Sequence, residues 1–186
     1  MDILCQIQEI ALQSSLFETG YVEISHLRYY PEVRAACEKN VCRAYGTTWA
    51  CPPAVGTLDE CRERVEQYDK MLLFSKKYEL EDSFDFEGMT AGMHDFKKSA
   101  DRFADNLKEV LSDYMLFSNE GCEKCSECTY PNAPCRFPQS LHPSLESYGF
   151  IVSELANEAG VRYNNGPNTV TYFGALLFNP KDASVE

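Results

Sequence analysis

Residues 71–80 read MLLFSKKYEL. An unbroken apolar run gives way to alternation, the pattern of a strand with a buried start. The elements on either side follow from it. Just upstream, Thr57-Leu58-Asp59-Glu60 has the form of a capping box. It opens a helix to about Tyr68, with Leu58, Cys61, Val65 and Tyr68 on one face. Downstream, LEDSFDFEGM is an acidic, aromatic connector. Residues 94–111 then place Phe96, Ala100, Phe103, Leu107 and Leu111 at helical spacing. YMLFSN, 114–119, is a second buried strand that runs directly into a cysteine-rich stretch.

Further out, Ile3, Ile7 and Ile10 mark a helix over 2–16, ended by Gly20. Residues 21–28 alternate as a half-buried strand, and Pro31 starts a short helix. Two prolines and two glycines make 45–56 a loop. A helix is expected from Pro143-Ser144 to Ala159, closed by Gly160. Residues 161–178 are expected to form a hairpin turning at Asn165-Gly166. The predicted fold class is α/β (mixed α+β), with a central sheet of four to five strands, packed helices and two cysteine-rich loops at about 37–61 and 121–138. No repeat, low-complexity tract or linker divides the chain, so residues 1–186 are expected to be a single domain.

The 186 residues are 44% hydrophobic and include eleven Phe and eleven Tyr, enough to pack a core without covalent staples. The first residues lack a basic, apolar leader, and no run of eighteen apolar residues spans a membrane. A reducing, cytoplasmic setting is therefore expected, where clustered cysteines argue for metal or catalysis over disulfides. The cysteine count of nine is odd, which also forbids complete internal pairing. A net charge of −12 argues against nucleic acid and anionic membrane as partners, and favours a redox partner that docks through a basic face.

Residues 121–138, GCEKCSECTYPNAPCRFP, hold Cys122, Cys125, Cys128 and Cys135 as Cys-x2-Cys-x2-Cys-x6-Cys. Successive x2 gaps aim thiols at adjacent irons of a [4Fe–4S] cube, and a later ligand closes the cage. Zinc ordinarily takes pairs from separate knuckles, so iron–sulfur is the favoured reading and zinc the alternative. The first group is Cys37-x4-Cys42-x8-Cys51, with Cys61 after nine further residues. Its loop, YGTTWACPP, is built to wrap an object closely. Cys61 is expected to supply the fourth thiolate, although its helical face also suits a buried free thiol. Cys5 reads as an ordinary thiol.

Cys37-x4-Cys42, YGTTWACPP, LEDSFDFEGM, CEKCSECTYPNAPCRFP and PSLESYGF together resemble DUF2284, a prokaryotic family of predicted metal-binding proteins. The resemblance runs from about residue 20 to 178. It implies metal binding at the eight clustered cysteines, with Cys61 matching least closely, and it implies no particular reaction. The x6 gap before Cys135, and the sequence CRFP after it, depart from the ferredoxin loop. In two-cluster ferredoxins the fourth cysteine serves the other cluster, so an exchange of Cys135 between groups stays open.

Arg43 and Arg136 each follow a cysteine and are candidates to offset thiolate charge; Trp49 is a candidate shield. His26, His94 and His142 show no ligand spacing and read as structural or solvated. The acidic run Glu79, Glu81, Asp82, Asp85, Glu87 reads as a solvated connector. The expected function is electron transfer through two [4Fe–4S] clusters. The alternatives are a redox enzyme with an open-site cluster, a zinc-braced interaction module, and a metal or cluster carrier.

Overall fold

A computed structural model describes residues 2–182. Its centre is an antiparallel sheet of β1 (Glu18–Glu23), β2 (Lys70–Glu79), β3 (Tyr114–Phe117) and β4 (Thr169–Phe178), in the order β1-β2-β4-β3. The central pair, β2 and β4, is in register from Lys70 opposite Phe178 to Glu79 opposite Thr169. Both strands carry unbroken apolar runs because the sheet is covered on both faces. Met71, Leu72, Leu73 and Phe74 are all fully buried, each worth roughly 1.5–3 kcal/mol of apolar transfer.

Alternation sorts these side chains into two cores. Leu72, Phe74, Leu176 and Phe178 meet α1 (Ile3–Gln13) and α4 (Phe86–Leu107) through Ile7, Ala11, Phe96, Phe103 and Leu107. Met71, Leu73, Ala175 and Leu177 face the other way. They pack on α3 (Leu58–Val65), α5 (Val152–Ala159) and the turn around Tyr148 and Phe150. α2 (Pro31–Glu38) lies against that turn. No helix among the described residues is long and apolar enough to cross a membrane.

The mixed α+β class, a sheet of four strands and the capping box match the sequence reading, although β1 lies at 18–23 and not at 21–28, because Ile24–His26 wind into a 3-10 turn. The Thr57 amide donates to Glu60 Oε2 at 2.7 Å, and the Glu60 amide donates to Thr57 Oγ1 at 3.2 Å. Four other local expectations are corrected. Gly20 does not end α1; it lies inside β1, where α5 crosses so closely that a Cβ would sit 2.0 Å from the Ala159 carbonyl oxygen. α4 begins at Phe86, well before 94, because Asp85 caps it by accepting from the Gly88 amide at 2.8 Å.

The expected helix from 143 is broken. Gly149, at φ +79°, turns the chain after one 3-10 turn, and only Val152–Ala159 is α-helical. The expected hairpin is also absent. Residues 161–168 form no strand; Arg162 is drawn to Glu18 of β1, donating from its amide at 2.9 Å and from Nε at 2.8 Å. This stretch crosses from α5 to β4 instead of pairing with it.

Candidate metal centre

The second cysteine group hangs from the end of β3. Its loop leaves the sheet at Ser118 and Asn119, both buried, and Asn119 Nδ2 donates to the Met93 carbonyl of α4 at 3.2 Å. Two ion-pair clusters then pin the loop to α4. Glu123 accepts from Lys97 Nζ at 2.5 Å and lies 2.7 Å from His94 Nδ1. Lys124 meets Asp101 at 2.6 Å, and His142 Nε2 lies 3.4 Å from the same carboxylate. Burial works against ionisation of both carboxyls, yet hydrogen bonds from their lysine and histidine partners hold them below their ordinary range.

Cys122, Cys125, Cys128 and Cys135 line one pocket together with Trp49, Lys124 and Arg136. Burial pushes the Cys122 thiol up; the Lys124 amide opposes this, and the thiols of Cys135, Cys128 and Cys125 add to it. The Phe137 amide donates to Cys135 Sγ at 3.4 Å. Arg136 donates to the Glu127 carbonyl at 2.9 Å, which holds its guanidinium at the pocket wall.

The donor set of four thiols, two amides and nearby cations fits a thiolate-bound cluster by its chemistry. The space enclosed is about 10 Å³, room for one water, so the loop has to widen to receive such a group. It is pinned at Glu123 and Lys124 on one side, while residues 131–134 are exposed on the other.

The first group is assembled from separated segments. Cys37 ends α2, Cys42 is exposed in the following turn, and Cys51 is buried. The three thiols feel one another. Burial raises Cys37, Arg34 opposes, and Cys42, Glu146 and Cys51 add to the rise. Burial also raises Cys51, with the Thr48 hydroxyl and Gly121 amide beside its sulfur pulling the other way, Cys42 pushing up and Lys97 pulling down.

The structure does not bring Cys61 to these three. It is fully buried among Val55, Val65, Leu145 and Tyr148. Its thiol donates to the Val55 carbonyl at 3.5 Å, a bond a thiolate cannot make. Arg64 Nη2 lies 3.2 Å and Arg34 Nη1 3.7 Å from its sulfur. Arg64 is stacked over Tyr148 at 5.3 Å, and Arg34 also donates to the Ser147 carbonyl at 2.7 Å. Arg43 lies exposed at φ +61°, with no hydrogen bond or ion pair to either group among the described residues.

The two groups meet. Trp49, from the first loop, packs edge-on against Tyr130 at 5.0 Å and donates Nε1–H to the Ala133 carbonyl at 3.1 Å. Gly121, from the second loop, reaches Cys51. Among the described residues, no three His, Cys, Asp or Glu draw together around a single ion. A tetrahedral zinc with Zn–S of about 2.3 Å would need sulfurs about 3.8 Å apart. Sequence reasoning missed Lys97, Lys124, Arg34 and the Gly121 amide. Lys124 alone carried a signal, from its place between two cysteines.

Neither a curated protein nor a solved structure matches the chain. One family model matches residues 20–178, a span that contains all eight clustered cysteines and leaves out Cys5. The chain belongs to the DUF2284 family of predicted metal-binding proteins.

Proposed function

We propose that this metal-binding protein is an iron–sulfur protein of a reducing compartment, holding two [4Fe–4S] clusters and passing electrons to a partner. The carrying observation is that Cys122, Cys125, Cys128 and Cys135 line one pocket whose wall includes Trp49 of the other cysteine loop. A cluster held there would store and release single electrons. The chain's own residues do the rest. The thiols bind; the Lys124 and Phe137 amides and the Arg136 and Lys124 cations offset thiolate charge; Trp49 keeps water from one side. The consecutive x2 gaps of the second group support iron–sulfur over zinc.

The acidic connector suits a basic partner. Phe84 and Phe86 stand 77% and 70% exposed among its carboxylates. Phe86 lies eight residues, or about 12 Å of helix, from the His94 clamp.

A second reading is favoured by the position of Cys61. If the first group offers only Cys37, Cys42 and Cys51, one iron takes its fourth ligand from outside the chain, and the site is suited to substrate chemistry as well as relay. Iron and acid-labile sulfide analysis of anaerobically purified protein tests the main reading, with electron paramagnetic resonance after dithionite. About eight irons and eight sulfides per chain are expected. One or two zincs without sulfide would overturn it. In the second reading, the spectrum of the first cluster shifts when an exogenous thiol or cyanide is added to wild-type protein.

A further inference from the structure

Beside the four-thiol pocket lies a separate cavity of about 160 Å³ between α4 and the second cysteine loop. Cys122 and Lys124 line both. In a chain of net charge −12, this cavity gathers Lys97, Lys98 and Lys124 together with two of the three histidines, His94 and His142. Its carboxylates are Asp101 and Glu123, and each is already shared between a lysine and a histidine. Cations therefore outnumber carboxylates there even with both imidazoles neutral. Lys98 has no carboxylate partner among the described residues.

A second, independent feature lies in the wall of the same space. Ser118 lines the cavity, is only 5% exposed, and its hydroxyl has no hydrogen-bond partner. A buried hydroxyl left unpaired is destabilising, and an acceptor within its reach would remove that cost.

We propose that this cavity binds a small oxyanion, a phosphate or carboxylate group, held by Lys98 and Lys97 and accepting a hydrogen bond from Ser118. Bound there, the ligand lies against Cys122, at the edge of the proposed cluster pocket. The site stands on its own residues and does not depend on which metal the thiols hold.

Isothermal titration of the full-length, anaerobically purified protein tests it, with inorganic phosphate and malonate as separate probes and iron content measured on each sample. One probe or both should bind saturably, one per chain. Preference for phosphate identifies a phosphoryl group, and preference for malonate a carboxylate. Lys98→Gln should weaken binding about tenfold, the loss of one charge-assisted contact, and Ser118→Ala by several-fold. Arg162→Gln, at the far edge by Glu18, should leave it unchanged. No saturable binding of either probe, or binding unaltered by Lys98→Gln and Ser118→Ala, overturns the site. Iron-poor protein that still binds the probe would count against the cluster reading and leave this one standing. Iron-rich protein that binds neither probe would do the reverse.

Discussion

The two cysteine loops reach a similar end by opposite means. The second is local: four thiols within fourteen residues, on one strand-to-helix excursion, tied to α4 by Glu123 and Lys124. The first is tertiary: a helix end, a turn and a buried loop residue are brought together by the fold, and the next cysteine in sequence belongs to the core. A local site survives as long as its loop does. A tertiary site exists only while α2, the turn after it and the loop around Cys51 keep their places.

The sharpest way to break this comparison is Cys125→Ser. It should remove about half the iron and sulfide, because the second group loses one of its four thiolates while the first is untouched. Full retention would remove the second group from the ligand set. Next comes the pair Cys51→Ala and Cys61→Ala. The first should remove the half of the iron that the first group carries, with little effect on folding. The second should cost about 1–2 kcal/mol, lowering the melting temperature by several degrees, and leave iron in place. Equal iron loss from both would make Cys61 a ligand after all.

A third test treats the groups alike. The thiols of Cys37, Cys51 and Cys122 are all raised by burial, and a metal-binding thiol must shed its proton. Iron uptake on reconstitution should therefore release protons and fall steadily as pH drops from about 8 to 6. Uptake independent of pH would contradict thiolate ligation.

The smallest effect concerns the clamp. Asp101 and Glu123 have carboxyls depressed below ordinary values of 3.8 and 4.5. Their contribution to stability is complete above those values and is lost as pH falls through the lower folded ones. Both are partly solvent-exposed, so each is worth no more than about 1 kcal/mol. The stability gap between wild type and Asp101→Asn should be constant from about pH 7 to 5 and close below about 4, by denaturant melts at each pH. A gap that persists at low pH would assign Asp101 a packing role instead.

The same contrast governs what could be read from sequence. β2, α2, the capping box and the second cysteine group were legible because each is decided by neighbours in the chain. The broken helix after 143 was not, because Gly149 turns there to meet Leu58 and Tyr30: a Cβ would lie 2.8 Å from Leu58 Cδ1, and its carbonyl accepts from the Tyr30 amide at 2.8 Å. The hairpin failed for a similar reason: Asn165-Gly166 is good turn chemistry, but an ion pair to Glu18 pulls the preceding residues across the sheet. At the site, Cys61 has a place in both an amphipathic face and a cysteine series, and only its contacts with Val55, Arg34 and Arg64 separate the two. Lys97 looks like any exposed helical lysine until the loop it faces is known.

Trp49 is the single tryptophan in the chain, and it stands in the wall of the four-thiol pocket while belonging to the other loop. The protein therefore carries its own optical reporter. Its indole emission comes from one place, and a light-absorbing cluster beside it would quench that emission. Loading, loss and reduction at the junction of the two loops could then be followed in real time without a label.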